Sequence, residues 1–497
     1  MFIVRALFVF SAMVVVCAAQ AIYVDVKGPN SPGTGSYTDP FRRIQDAIDA
    51  ADSNDTIEIR PGVYSGPGNY DLDPNGKSIT IRGSEPDNPD IIERTIIDPN
   101  RAGRGFYIHS GENSQCVISG LTIRNAYAID VGAGIYCDKS SPTIVNCIFT
   151  DNYAQSYSGG AIECDESNSL VANCTISRNY APDGGGMECW FASPTLINCT
   201  ISDNLAVRYG GGIDCYYGNP SLSNCSIVNN KTGSSGAGGA VSQWESGVNI
   251  KNSILWANEA NTGMQLYLHR NSIASLSYCD VQGGVSGIVK DLQSTVNWGS
   301  GNIDTDPCFA SFEPNADPNL WDFHLQSTDG RWNPVFYRTD LNNNGIINLL
   351  DFAGLAGVWM QGGNPPQDLD NNGVVGCGDL GLLSQYFLAN SQTNGWTTDS
   401  STSPCVDAGD PNSDWTGEPW PNGKRMNMGM YGGTGQASKS GNLADFDVSG
   451  AVNFVDFAAL ADKWAIQGDF IEDLSGNDVI DYTDVNVFAE NWLWQKG

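Results

Sequence analysis

The sequence predicts an all-β parallel β-helix, a solenoid of short stacked strands, on three observations. First, Asn125, Asn152, Asn179, Asn204, Asn230 and Asn258 recur at intervals of 27, 27, 25, 26 and 28 residues. Second, one phrase returns at that beat: Asn146-Cys147-Ile148-Phe149, Asn173-Cys174-Thr175-Ile176, Asn198-Cys199-Thr200-Ile201 and Asn224-Cys225-Ser226-Ile227. Third, a glycine-rich start precedes each phrase, as in Gly132-Ala-Gly-Ile-Tyr-Cys137, Gly159-Gly-Ala-Ile-Glu-Cys164 and Gly184-Gly-Gly-Met-Glu-Cys189. A period in this range marks one supersecondary unit stacking on the next. The coil from Gly210 to Asn230 has turns at Tyr-Tyr-Gly-Asn-Pro and Val-Asn-Asn and no room for a long helix, so its segments are strands.

The elements follow in order. Arg5, the apolar run Ala6 to Val16 and Ala19-Gln20-Ala21 read as a secretory signal over 1–21, which places the mature chain outside the cell or on its surface. No other segment is long and apolar enough to span a membrane. Ile22-Tyr-Val-Asp-Val is a strand. Pro40 to Ala51 is an amphipathic helix with Phe41, Ile44, Ile48 and Ala51 on one face, placed to cap the open end of the solenoid. Thr56 to Tyr64, Ser78 to Arg82 and Gly105 to Ile108 supply the earlier coils. The asparagines are expected to form an amide ladder, each bonding the turn of the next coil. Arg124, Asp151, Arg178 and Asp203, each before a ladder Asn, read as a surface ion-pair column. Cys137/Cys147, Cys164/Cys174, Cys189/Cys199 and Cys215/Cys225 share one spacing of ten. Secretion allows disulfides; their period-matched placement favours stacked, buried free thiols.

Tyr23-Val-Asp-Val, Pro40-Phe-Arg-Arg-Ile-Gln-Asp-Ala-Ile and Asp55-Thr-Ile-Glu-Ile-Arg-Pro-Gly-Val-Tyr together resemble the opening of secreted right-handed parallel β-helix proteins of the pectate-lyase-like superfamily. Cys116-Val-Ile-Ser-Gly-Leu-Thr-Ile-Arg-Asn125 is similar to their repeat unit. The resemblance covers roughly residues 22–310 and implies a right-handed solenoid. The Gly-His-Gly and paired-Asp motifs of polygalacturonases and the Arg-x-Pro-x-x-Arg pattern of pectate lyases are absent from the sequence. Its His109, His269 and His324 are scattered.

A second signal is a set of acidic twelve-residue loops. Asp340, Asn342, Asn344, Asn348 and Asp351 form one. Asp368, Asp370, Asn372 and Asp379 form the next, with Gly376 at position 9. Asp445, Asp447, Ser449, Asn453 and Asp456 form a third, and Asp473, Ser475, Asn477, Asp481 and Asp484 a fourth, with Asp478 where glycine is expected. Calcium needs six to eight oxygens, and short side chains at alternating positions aim inward together. Asp340 to Asp368 and Asp445 to Asp473 are both 28 apart, and apolar helices such as Leu349 to Met360 and Phe454 to Trp464 follow. These paired loop–helix units resemble type I dockerins, which implies calcium as the bound ion and a cohesin-like protein as partner. Positions 10 and 11 (Leu349-Leu350, Cys377-Gly378, Phe454-Val455, Tyr482-Thr483) lack the Ser-Thr type pair of many dockerins. The resulting division is 22–338 β-helix, 339–391 an inserted calcium-loop pair, 392–442 β-helix tail and 443–497 a terminal calcium-loop pair.

If the Cys137 column faces inward, its neighbours face outward. One outward column holds Glu163, Glu188 and Asp214; the other holds Asp138, Asp165, Trp190, Tyr216 and Trp244, with Tyr217 beside it. Carboxylates beside aromatics suit a polysaccharide: ring faces for stacking, and stacked acids whose repulsion raises one pKa as a general acid needs. The same pattern also describes a solvated face with aromatic ladders that only brace the sheet. The net charge of −31 disfavours nucleic acid, anionic membranes and, without a bridging metal, acidic polysaccharides. The expectation is a secreted polysaccharide-binding or polysaccharide-degrading protein, with hydrolysis by Glu163, Glu188 and Asp214 favoured over elimination. The alternative is a non-catalytic surface, adhesion or scaffold protein.

Overall fold

The computed structural model describes residues 19–314, 318, 321–332, 341, 349–358, 360, 367, 369, 375–376, 379–380, 383, 396–419, 422–423, 425–441, 444, 452–463, 480, 484–485 and 488–489. The signal expected over 1–21 lies outside them but for its last three residues, of which Ala21 already pairs with Thr56. The same holds for Asp340, Asn342, Asn344, Asn348, Asp368, Asp370, Asn372, Asp445, Asp447, Ser449, Asp473, Ser475, Asn477 and Asp481.

Each coil of the parallel β-solenoid passes through up to four sheets. Sheet 1 has eleven strands, from Ala21–Val24 to Thr295–Trp298; sheet 2 has nine, from Gly62–Tyr64 to Asp280–Val281. Sheet 3 has eight strands, from Phe106–Ile108 to Ile288–Lys290; sheet 4 has five, from Tyr127–Ala128 to Lys231–Thr232. Every strand pairs in parallel with its equivalent one coil away, so identical positions form columns. Ile135, Ile162, Met187, Ile213, Val241 and Leu266 form one; Cys137, Cys164, Cys189 and Cys215 form the next inward one. All are buried in one continuous core. Burying each large aliphatic side chain stabilises the fold by roughly 1.5–3 kcal/mol. The thiols are free.

The repeated Asn-Cys phrase has a backbone cause. Asn146, Asn173, Asn198 and Asn224 hold φ of 54, 52, 52 and 55°, the left-handed corner between sheets 1 and 2 that Asn tolerates better than most side chains. The cysteine after each corner turns inward and bonds carbonyls; Cys174 Sγ, for example, lies 3.2 Å from Ala172 O.

The amide ladder runs through Asn152, Asn179, Asn204, Asn230 and Asn258. Each of the first four donates Nδ2–H to the next Oδ1 at 2.9–3.0 Å. Each Oδ1 also accepts a backbone N–H of the preceding coil, as in Asn179 N to Asn204 at 3.0 Å. Asn125 is not a member. Arg124 pairs with Thr150, so Ala126 holds the ladder position, and its N–H donates to Asn152 Oδ1 at 3.0 Å. Asn125 instead shares a left-handed column with Asp151, Arg178, Asp203 and Asn229, all at φ between 53 and 58°. Arg124 is likewise out of that column. Arg178 bonds Asp151 at 3.1 Å within it, whereas Arg124 reaches Asp98 at 2.9 Å.

The first helix also begins later than expected. Pro40 to Arg43 stay outside the helix because Phe41 bridges Val24, with Phe41 N–H donating to Tyr23 O at 2.9 Å. Helix α1 spans Ile44–Ala50 and receives its terminal acceptor from a distant loop, Asn69 Oδ1 to Ile44 N at 2.9 Å. Ile44, Ala47 and Ile48 pack into the core beside the first strands of sheet 1. A short helix α2 (Pro89–Ile92) lies on a connecting loop.

Beyond the solenoid, Phe309–Ser311 pairs antiparallel with Asp322–Leu325, and Arg331–Trp332 with Trp396–Thr397. The second pairing joins the chain on either side of residues 333–395. The returning segment packs along sheet 2, where Cys405 and Met428 meet Val228 and Ile254. Lys251, at the end of the sheet 1 strand Gly247–Lys251, pairs with Asp410. Helices α3 (Leu349–Ala356) and α4 (Phe454–Asp462) stand in the loop regions, with separate apolar clusters around Leu355 and Leu460.

Candidate functional site

Register builds the site. On the outward side of sheet 3, Tyr136, Glu163, Glu188, Asp214, Ser242 and Tyr267 form one column. Asp138, Asp165, Trp190, Tyr216, Trp244 and His269 form its neighbour. The three acids therefore stand side by side, one strand spacing of about 4.8 Å apart.

They point away from the core yet are nearly sealed, Glu163 being 3%, Glu188 2% and Asp214 8% exposed. Sequence alternation gives the direction of a side chain and not what lies above it. Here a lip does. The chain arriving from sheet 4 passes over the column through Ser158, Asp183, Tyr209 and Ala237, which bridge from coil to coil. Ser158 Oγ donates to Glu163 Oε2 at 2.9 Å. Arg208 pairs with Asp183 along the lip. The glycines at its inner edge, Gly159 and Gly184, hold φ of +65 and +58°. A Cβ on Gly159 would lie 2.6 Å from Glu163 Oε2, and one on Gly184 2.5 Å from Met187 O. The glycine start of each coil thus serves both a left-handed corner and the close passage of backbone over carboxylate.

Burial dominates the electrostatics. It pushes the Glu163 and Glu188 carboxyls well above the usual carboxylate range; neighbouring Asp214 and Glu163 raise Glu188 further. Burial, then the charge of Asp183, lifts Asp214 to about 7, against the hydroxyl of Ser242. Among the described residues, Glu188 Oε2 has no hydrogen-bond partner. At neutral pH the column is therefore at least partly protonated: a row of poised acids under a lip.

The aromatic column is a stack along the solenoid axis. Trp190 and Tyr216 lie 4.3 Å apart at 3°, and Tyr216 and Trp244 5.9 Å apart at 16°. Rings so arranged cover one another's faces, so the strip offers edges, not a row of open platforms for sugar rings as expected from the sequence. Arg270 sits 4.5 Å over Trp244 and covers the far end. At the near end no ring or guanidinium stacks on Trp190 from the side of Asp165 among the described residues; Phe191 meets it edge-on at 5.7 Å, and Trp190 is 40% exposed. Tyr217 stands at a left-handed corner (φ 56°) outside this column and stacks on Phe191 at 4.7 Å. Beside the open face, burial raises the Asp165 carboxyl, Asp138 raises it further, and Tyr136 Oη approaches it at 3.4 Å.

Phe191, Ser158, Asp183, Arg208 and Arg270 carry no periodic signal of their own; only the folded lip and corners bring them to the site. In the loop regions, Asp379 is fully buried and accepts from Leu369 N at 2.5 Å and Gly376 N at 2.6 Å, both within its own loop. Asp456 accepts from Asn453 N at 2.8 Å in a capping box that opens α4, and Asp484 is fully buried. Asp379 and Asp456 are thus bonded to backbone N–H groups of their own loops, and among the described residues no group of three or more His, Cys, Asp or Glu is placed to hold a metal ion.

Residues 104–277 match the family described as the right handed beta helix region, so the solenoid is a right-handed β-helix. No curated protein matches the chain. Among solved structures, similarity is found to a pectate lyase, Pel9A, at 14% identity and TM-score 0.40, over 84% of this chain and 97% of that one. A rhamnogalacturonan lyase matches at 13% identity and TM-score 0.27, over 59% and 91%. A GH136 lacto-N-biosidase from Eubacterium ramulus matches at 10% and 0.25, over 57% and 67%.

Proposed function

We propose that the chain is a secreted polysaccharide-binding β-helix that holds a glycan on the outward side of sheet 3, where the uncovered face of Trp190 meets Asp165 and Asp138. The observation that carries this reading is that half-open ring: stacked by Tyr216 on one side, 40% exposed, and bordered by carboxylates. Pyranose rings stack on such faces while flanking acids accept their hydroxyls. Tyr216, Trp244 and Tyr217 set the position of Trp190 and Phe191 and contribute edges. Helix α1 closes the N-terminal end of the solenoid. The loops around Asp379, Asp456 and Asp484 hold calcium and anchor the protein, in dockerin-like modules, to a cohesin-like partner; the ion folds each loop by neutralising its inward carboxylates.

Hydrolysis is the second reading, favoured by the unpartnered, proton-retaining Glu188 between Glu163 and Asp214. A raised carboxyl beside a second acid is the equipment of a glycosidase, provided the lip opens. A glycan array followed by reducing-sugar assays tests both. Binding abolished by Trp190→Ala and no sugar release gives a binding protein. Release lost in Glu188→Gln gives a hydrolase. Neither binding nor release leaves the adhesion or scaffold alternative.

A further inference from the structure

Three ring stacks of this protein carry a guanidinium. Arg270 lies 4.5 Å over Trp244. In sheet 4, where Tyr127, Tyr153 and Tyr180 stack, Arg101 lies 5.3 Å over Tyr153. Arg104 lies 5.4 and 5.5 Å over the stacked Tyr107 and Tyr136. Trp190 is the other end of the ladder that Arg270 covers. One step along its column stand Asp165 and then Asp138, acids where the Trp244 end has a guanidinium.

We propose that the ligand supplies the missing cation: an amino sugar with a free ammonium group, its ring on the open face of Trp190 and its nitrogen against Asp165 and Asp138. The inference rests on the glycan reading and names the sugar class. One strand spacing is about 4.8 Å, within the ~6 Å over which a cation is attracted to an indole face. An ammonium at the level of Asp165 therefore meets ring and carboxylate together. Lys139, exposed and 3.6 Å from both Asp138 and Glu166, neutralises this place only in part: its one charge stands among the carboxylates of Asp138, Asp165 and Glu166. The overall charge of −31 attracts a cationic polymer from a distance and repels a uronate. A neutral sugar would keep the stacking and lose the ion pair.

Calorimetric titration of the full chain separates these cases. The probes are β-1,4-linked glucosamine oligomers, N-acetylglucosamine and cellulose oligomers of equal length, and spermine. Glucosamine oligomers are expected to bind at least tenfold more tightly than the other sugars. That margin should vanish in Asp165→Asn and shrink as salt rises. Trp190→Ala should abolish sugar binding while Trp190→Phe keeps it, with thermal melts confirming that each variant folds. Equal affinity for charged and uncharged sugars overturns the amino-sugar inference and leaves the glycan reading standing. Binding of no sugar overturns both. Spermine binding as tightly as the glucosamine oligomers shows a cation trap and overturns the inference.

Discussion

Asp214 is a carboxyl on the surface side of a sheet that is nonetheless out of water, and its titration has a consequence for stability. Its folded pKa of about 7 exceeds the unfolded value, so the folded state binds the proton more tightly. The stabilisation is complete below roughly pH 4 and is lost as pH rises through about 7. A shift of this size corresponds to something on the order of 4 kcal/mol. The melting temperature should therefore fall between pH 5 and 8, and Asp214→Asn should flatten that fall. Asp322 works in the other direction. The charges of His324 and Arg331 beside it hold its carboxyl low despite burial, so its contribution disappears only on acidification. A slope unchanged in Asp214→Asn would refute the assignment. Asn204 provides a second test. Truncation to Ala leaves Asn179 N and Nδ2 without their shared acceptor and Ile176 O without its donor. Orphaned buried groups cost ~1–3 kcal/mol each, so urea denaturation should show a loss of about 2–4 kcal/mol. Asn125→Ala, outside the ladder, should cost only about 1 kcal/mol. That contrast is where sequence reading fell short. The count from Asn125 to Asn152 gave a plausible interval, but a coil one residue shorter put Ala126 in register, and spacing alone does not distinguish neighbouring columns when both favour Asn.

At the level of elements, the coil was legible because each position has one demand that few residues meet. Corners need left-handed backbone, core columns need small or branched apolar groups, and the ladder needs an amide. Helix α1 was legible in its apolar face and not in its start, since the bridge from Phe41 to Val24 is a long-range contact that overrides local preference. The lip over the carboxylates was invisible for the same reason: alternation reports which side a residue faces, and the cover arrives from another sheet. Glycine makes that cover possible. Gly184→Ala combines a φ of +58° with a Cβ 2.5 Å from Met187 O. Left-handed strain and overpacking together should cost at least about 2 kcal/mol and lift the lip from Glu188. Gly66→Ala, at φ +78° with open space around it, carries the strain alone. Equal losses in the two variants would show that the lip does not press on the column.

Across the whole molecule, periodicity carried the solenoid and nothing beyond it; the tail, which folds back over sheet 2 through Cys405 and Met428, has no repeat to announce it. The loop regions have their own small apolar clusters, around Leu355 and around Leu460, distinct from the solenoid core. Segments as short as 339–391 and 443–497 are marginal without a staple. If calcium is that staple, its removal should melt them and leave the solenoid intact. Calorimetry of the full chain in calcium should then show transitions that move together toward lower temperature on adding EGTA, beside one that does not move. At calcium one hundred times its dissociation constant the ion adds ~2.7 kcal/mol to a module that binds it only when folded. Asp456→Ala should abolish the calcium dependence of the terminal module alone, because its carboxylate also closes the capping box that opens α4. Asp379→Ala should do the same for the inserted one, whose loop it closes through Leu369 N and Gly376 N. A calcium-insensitive thermogram in the unaltered chain would reduce both loop pairs to acidic turns and leave the solenoid without a metal-dependent anchor.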